Sequence, residues 1–581
     1  MRTFAFAVLC AAPLLHAQDY ALGPDSQPQA GVPKGVVTKF QLPPGKYFPG
    51  TPHTYSIYVP AQYDAAKPAP FMIYMDGSGA LGNSTRVPVV FDNLIAKHEL
   101  PAMIGIFVDP GVLPPASAVA QSRFERVFEY DSLSDRFSRF LLEELIPEVG
   151  KKYNLSKDPN DRGLSGTSTG AVAAFAAAWN RPDQFRRVLS FIGTYVAMKG
   201  ADGLPALIRK TEPKPIRIFL QDGSKDHVVP SFPWGTFYAG SWPINNQVMY
   251  EAFQSAGYDA KLVIGEEGHN MKQGAAIMPD ALRWLWREYT TPITVREPAA
   301  MNDPGWDPRG KVYSVVSAAK PWEQVGDVYG AVTSPAGDKE GNVFFADPAA
   351  NRIYKSDPTG KVTLFKSSTA GAHALRVGPD GRLYAAAKGR IVSYGPEEKV
   401  VAQNIDATDL AITAKGDIYY TDTAHKTVGR VNGKIYPLAE MATPAGIALS
   451  PDQAMLIVAD AQSRFSWSFQ LAPDGALMNG EPFYRLEMPE SGWMSAVHST
   501  TEDSIGQVYF ATATGIQVCE ANGRVAAILN APNYGAVTSI AFAGPEMNWL
   551  YAAEAGRLYR RPVKVNGVPA WTVAKLPKPP L

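Results

Sequence analysis

Asp161-Arg-Gly-Leu-Ser-Gly-Thr-Ser-Thr-Gly170 runs directly into the Ala-rich apolar segment Ala171 to Trp179. Inside it, Gly166-Thr-Ser168-Thr-Gly170 fits G-x-S-x-G, the pattern of a nucleophile elbow. The backbone must turn sharply from strand to helix at the serine, so bulk two positions to either side would clash. The turn lifts the Ser168 hydroxyl above the sheet edge. It also aims the first helix amides at an oxygen that becomes charged during reaction.

Working outward, short apolar runs alternate with helical patterns. Thr54 to Pro60, Phe71 to Met75, Met103 to Val108, Val188 to Ile192, Ile216 to Leu220 and Lys261 to Ile264 read as strands. Val89 to Lys97, Leu133 to Val149 and Ala275 to Tyr289 read as helices, the last with Leu282, Leu285 and Trp286 on one face. Residues 18 to about 50 read as an extended lead-in. Such alternation predicts a mostly parallel sheet covered on both faces, and together with the elbow it makes the α/β-hydrolase the expected fold.

A serine hydroxyl needs a histidine base, and the histidine needs an acid that holds its tautomer. His269, in Gly265-Glu-Glu-Gly-His-Asn270, lies after the last strand and before the closing helix, where the base of this fold belongs. Asp226, in Leu220-Gln-Asp-Gly-Ser-Lys-Asp226, sits in the loop after the preceding strand and is the preferred acid, with Asp222 at the strand end as the alternative. The order Ser168, Asp226, His269 is the one the fold requires. His227 is placed at the pocket border, His53 in a structural role and His98 at the surface or a helix end. Two backbone donors are needed for the oxyanion. Thr169, after the nucleophile, supplies one, and the Asp76-Gly77-Ser78 turn the other.

The chain has 581 residues, too many for one ordinary domain. Hydrophobic content of 46%, charged content of 19% and a formal net charge of zero suit a globular protein with a large core. No Lys/Arg block and no zinc-finger spacing occurs, so no nucleic-acid partner is expected. Met1-Arg-Thr3, the apolar run Phe4 to Leu15 and Ala17 read as a secretory signal peptide, residues 1–17, cut after Ala17. That run is too short for a lasting transmembrane anchor, and the expected location is secreted or periplasmic. Removing the signal takes Cys10 with it and leaves Cys519 alone, so stability rests on packing rather than on a disulfide.

Past a Pro-, Asp- and Gly-rich linker at 293–312, the pattern changes. A short-strand unit recurs at Gly341 to Asp347, Gly381 to Ala386, Gly416 to Asp422, Ala454 to Asp460, Gly506 to Ala511 and Asn548 to Ala553. Repeated hairpins at this period predict propeller blades, and six copies predict six. The expected organisation is therefore two domains: an α/β-hydrolase over 18–292 and an all-β six-bladed propeller over 313–581.

Residues from about 50 to 290 resemble the esterase superfamily that holds enterochelin esterases and the feruloyl and acetyl-xylan carbohydrate esterases. Gly166 to Gly170, Gly223-Ser-Lys-Asp226 and Glu267-Gly-His269 carry the resemblance, with Tyr58-Val-Pro60 and Trp179-Asn-Arg-Pro-Asp183 in support. Thr169 stands where many relatives have Met or another residue, and Ala171 where many have a second Gly. The resemblance implies hydrolysis of a carboxylic ester through an acyl-serine, with Ser168 as nucleophile, His269 as base, Asp226 as its orienter and no metal or cofactor. An acylated sugar or feruloyl-type ester is the implied substrate class.

Residues from about 313 to 562 resemble the gluconolactonase and senescence-marker-protein propellers, on Thr408 to Asp422 and Pro444 to Asp452. That resemblance implies one divalent cation at the axis, held by Glu, Asn and Asp, with a further Asn lining the pocket. This chain has Thr408 before Asp409, Ala445 before Gly446, no Glu in Tyr329 to Thr333 and no carboxylate in Ser491 to Ser495. Asp409 and Asp422 remain, as do His373, His425 and His498, with nothing to fix them as ligands. The propeller is expected to bind a glycan, to present the esterase to its substrate or to support it. Two alternatives stand beside the esterase: a metal-dependent lactonase in the propeller, and a non-catalytic glycan- or ligand-binding protein.

Overall fold

The computed structural model describes residues 20–576 apart from 229–230, 233–234, 237–238, 299–309, 491 and 493. The signal peptide and much of the linker lie outside the described residues. No described helix is long and apolar enough to cross a membrane.

The first domain is built on an eight-stranded sheet. Its strands are β1 (Val36–Leu42), β2 (His53–Val59), β3 (Phe71–Met75), β4 (Ile104–Val108), β5 (Arg162–Thr167), β6 (Arg187–Phe191), β7 (Arg217–Gly223) and β8 (Asp259–Gly265). The spatial order is β1-β2-β4-β3-β5-β6-β7-β8. β1 and β2 are antiparallel to their neighbours, and the rest run parallel. Side chains alternate between two cores, with Phe71, Ile73 and Met75 in one and Met72 and Tyr74 in the other. Burial on both faces explains the unbroken apolar runs. Helices α1 (Gly77–Leu81), α2 (Val87–Ala96), α3 (Arg126–Tyr130), α4 (Thr169–Asn180), α5 (Leu204–Lys210), α6 (Trp242–Ala256) and α7 (Met278–Trp286) cover it.

Several expectations shift. The lead-in contributes β1, an edge strand whose residues are mostly exposed, so it carries little apolar alternation. The helix expected over 133–149 starts at Arg136 and widens into a π turn, Leu141–Leu145, before Pro147. Proline lacks an N–H and its ring crowds the carbonyl four residues back, which the wider turn accommodates. The helix expected over 275–289 divides into Lys272–Ala276 and α7, because Pro279 begins a new first turn. Helix α6 is absent from the sequence reading, although Ser241 and Pro243 mark its start and Gly257, at φ 84, its end.

The second domain is a propeller of six four-stranded antiparallel sheets. Thr333–Gly337, Ala374–Val377, Asp409–Ile412, Pro444–Leu449, Ser499–Glu502 and Ser539–Ala543 are the inner strands, each touching the next around the ring. The ring closes because Glu323–Val325 pairs with Arg557–Pro562, joining the two ends of the domain in one blade. The domains are joined at Glu212, whose carboxylate accepts from buried Arg561 at 2.9 and 3.0 Å and from the Asn530 amide at 2.9 Å. Lys210 pairs with Glu487 at 2.6 Å beside it. Cys519 is buried in the fifth blade, and burial pushes its thiol well up.

Candidate active site

β5 ends at Thr167 and α4 begins at Thr169, leaving Ser168 at φ 60 and ψ −122. A non-glycine residue held there costs roughly 1–3 kcal/mol and persists only where its surroundings over-determine it. Gly166 is one such constraint, since a Cβ on it would lie 1.9 Å from the Gly170 carbonyl oxygen. The helix behind is almost wholly buried from Thr169 to Trp179, and its alanines let it approach the sheet closely.

The loop after β7 holds Asp226 and the loop after β8 holds His269. His269 Nδ1 is 2.9 Å from both Asp226 oxygens, and His269 Nε2 is 2.9 Å from Ser168 Oγ. An ionised carboxylate only accepts, so the ring proton sits on Nδ1 and Nε2 is left to accept from the serine. The Asp226 side chain is fully buried while His269 stays 21% exposed, which leaves the ring reachable from solvent. Burial works against ionisation of Asp226, but the His269 N–H and Asp222 outweigh it and hold its carboxyl below the usual range.

Asp222, the alternative acid, is placed elsewhere. It is fully buried at the end of β7, accepts from Gly223 N at 2.8 Å and Asn246 Nδ2 at 2.9 Å, and does not touch the imidazole. Burial and the adjacent Asp226 charge push its pKa well up, which favours its neutral form.

Asp76, in the left-handed region at φ 53, opens α1, and Gly77 follows it. Arg126 grips both Asp76 oxygens at 2.8 Å and the Thr167 carbonyl at 3.2 Å, tying this turn to the residue before Ser168. Thr169 and Gly77 are the first residues of their helices, and a first-turn amide has no intrahelical partner. The Ser78 amide is committed to Asp109 Oδ1 at 2.8 Å, so of the two residues expected from this turn the free donor is Gly77.

His227 borders the site: its ring stacks on His269 with centroids 4.8 Å apart, and the Trp242 edge meets His269 at 5.8 Å. His53 is buried against Glu129 at 3.0 Å, a structural contact, and His98 is exposed at the end of α2.

Residues 48–290 match the Esterase family model, and residues 333–556 match that of the SMP-30/gluconolactonase/LRE-like region. The chain joins an esterase-like domain to a gluconolactonase-like propeller. The uncharacterized protein YbbA of Bacillus subtilis is 23% identical over 30% of this chain and 68% of its own length. A gluconolactonase of Zymomonas mobilis is 22% identical over 42% of this chain and 83% of its own. An endo-1,4-beta-xylanase/feruloyl esterase of Xylanibacter ruminicola is 25% identical over 37% of this chain, which spans only 27% of that protein.

In the gluconolactonase-like propeller the described residues at the positions where the resemblance expects ligands do not fit a divalent cation, which wants several free oxygens. Asp409 is taken by Arg376 Nη2 at 2.9 Å and by the amides of Leu410 at 2.8 Å and Ile447 at 3.1 Å. A guanidinium thus already neutralises that carboxylate. Thr408 bonds Thr423 at 2.8 Å, Asp422 pairs with His425 at 2.7 Å, and His373 meets the carbonyls of Gly371 at 3.1 Å and Ala407 at 2.9 Å. His498 is exposed. Ser491 and Trp493 lie outside the described residues. Among the described residues one group has three ligand-type atoms within 4.8 Å of one another, namely Asp226, His227 and His269, and both His269 nitrogens are already engaged.

Thr194, Trp242, Asn246, Asp109 and Arg126 touch the site or its supports and were not found from the sequence. Only Trp242 and Asn246 had a readable signal, the start of α6.

Proposed function

We propose that the esterase-like domain hydrolyses carboxylic esters through an acyl-serine formed at Ser168. The observation that carries this reading is the unbroken chain from Asp226 through His269 to Ser168, with 2.9 Å at each step. His269 Nε2 takes the Ser168 proton as Oγ attacks the carbonyl carbon, and Asp226 steadies the imidazolium that forms. The amides of Thr169 and Gly77 receive the oxyanion. The departing alcohol takes the proton from His269, and a water activated by the same nitrogen then releases the acid.

An acylated sugar or a feruloyl-type ester is the substrate class we favour, on the resemblance to carbohydrate esterases and on the relative named as a feruloyl esterase. The propeller serves to present or support this domain, or to bind a glycan, in a secreted or periplasmic protein. Lactone hydrolysis at the axis is disfavoured because Arg376 occupies Asp409.

Assays of aryl acetates and feruloyl sugars with wild type, Ser168→Ala and a chelator-treated sample test this. Turnover abolished by Ser168→Ala and kept after chelation is expected, with an acyl mass increment on the Ser168 peptide. Turnover kept in Ser168→Ala and lost on chelation would transfer the chemistry to a metal-dependent lactonase.

A further inference from the structure

Resting on the reading of Ser168 as nucleophile, we propose that Thr194 is a further catalytic residue, whose hydroxyl donates to Ser168 Oγ and assists its departure when the acyl-serine is hydrolysed. Thr194 Oγ1 lies 3.0 Å from Ser168 Oγ and 3.2 Å from Trp242 Nε1. The direction of both bonds follows from donor chemistry. An indole N–H only donates, so Thr194 accepts from Trp242 and keeps its own proton for Ser168. From the other side, Asp226 only accepts, which fixes the His269 proton on Nδ1 and sends the Ser168 proton to Nε2. Ser168 Oγ is therefore an acceptor toward Thr194. The sequence Trp242 to Thr194 to Ser168 to His269 to Asp226 is a single run of bonds donating in one direction.

The backbone around Thr194 is built for this contact. Ile192 stands at φ 43, a left-handed value that a β-branched residue rarely adopts. Its amide is held by the Gln221 carbonyl at 2.7 Å, and the next carbonyl, of Gly193, accepts from Asn246 Nδ2 at 2.8 Å. A Cβ at Gly193 would lie 2.3 Å from the Tyr195 ring. The Thr194 amide reaches the Ser168 carbonyl at 3.3 Å, and Thr194 is 2% exposed. Strain of this kind persists where the surroundings over-determine it, and here they deliver one buried hydroxyl to one reactive oxygen.

The consequence differs between the two half-reactions. In acylation the Oγ–carbon bond forms and the Ser168 proton goes to His269. The hydroxyl oxygen already accepts well before attack, so the Thr194 bond changes little. In deacylation water adds to the acyl carbon and gives its proton to His269. The carbon–Oγ bond then breaks, and Oγ leaves with the electron pair and recovers a proton from His269. The ester oxygen is a poor acceptor and the departing oxygen a strong one, so the Thr194 donor stabilises that transition state selectively.

The test compares Thr194→Val, which removes the hydroxyl at constant shape, with Thr194→Ser, which keeps it. Acylation is read from the burst of 4-nitrophenol from 4-nitrophenyl acetate, and deacylation from decay of the acetyl-Ser168 mass increment. Thr194→Val should acylate within about twofold of wild type and deacylate about tenfold more slowly, the worth of one neutral hydrogen bond, so that acyl-enzyme accumulates. Thr194→Ser should restore the decay. Equal slowing of both steps, no slowing of either, or failure of Thr194→Ser to restore the decay would overturn the proposal. If Thr194→Val does not fold, Thr194→Ala carries the same comparison. A wild type that never acylates at Ser168 would overturn the nucleophile reading and this one together. Acylation with unchanged decay would overturn this one alone.

Discussion

Gly223 lies so close to Glu267 that a Cβ on it would sit 1.9 Å from the Glu267 carbonyl oxygen. The two loops that carry Asp226 and His269 are in backbone contact at that point, with Lys225 N donating to Glu267 O at 3.1 Å and Ser224 N to Gly265 O at 2.7 Å. Gly223→Ala should push the base away from its acid. A displacement of about 1 Å in a catalytic group lowers rate roughly 10²-fold, and a loss of that order in kcat/KM is expected. Steady-state kinetics with a melting curve would check it, since a variant of full activity would mean the loops separate without cost.

Asp226 and Asp222 should separate in activity. Asp226→Asn offers the imidazole an amide in place of a carboxylate, which favours the wrong tautomer, and a kcat loss on the order of 10⁴ is expected. Burial favours the neutral form of Asp222, which accepts from Asn246. Asp222→Asn keeps its shape and neutrality, so activity should stay within about tenfold of wild type. Parallel kinetics on the two variants decide between them.

Glu502 lines a cavity on the propeller axis together with Arg376, Thr500 and Trp571. Burial pushes its carboxyl up to about 8, against an ordinary value of 4.5. Between those values the folded state holds a proton that the unfolded chain has released. Stability from this group is therefore fully present below the unfolded value and declines as pH rises toward the folded one. Glu502→Gln should flatten that decline, by roughly 1–3 kcal/mol across the window. Urea melts of both proteins from pH 4 to 9 would reveal it, and identical slopes would contradict it.

The join between the domains should be sensitive to one truncation. Arg561 is 2% exposed and Glu212 12% exposed in their side chains. Glu212→Ala leaves the guanidinium buried and uncompensated, a loss of about 3–5 kcal/mol. Calorimetry should show the propeller transition moving to lower temperature. Replacing both residues with apolar side chains of similar volume should recover much of the loss.

Legibility in the sequence followed burial. β3 and β4 were readable because both faces are covered and their residues are apolar throughout. β1 was not, because an edge strand in water needs no apolar face. The six blades were readable because each repeats the same short buried strand after a turn. The order of Ser168, Asp226 and His269 followed from their places after successive strands, whereas the choice between Asp222 and Asp226 needed coordinates. Four residues apart on one strand-to-loop junction, they differ in which one meets the imidazole.

By itself the sequence determined the two-domain architecture, the elbow at Ser168 and the residues able to serve it, since periodicity, small residues and chain order are local properties. Only the tertiary structure decided that Ser78 is spent on Asp109, that Arg376 neutralises Asp409, and that Thr194 and Trp242 close on the nucleophile. Those contacts join residues 26 to 48 positions apart, and partners at such distances are selected by how loops pack rather than by any pattern along the chain.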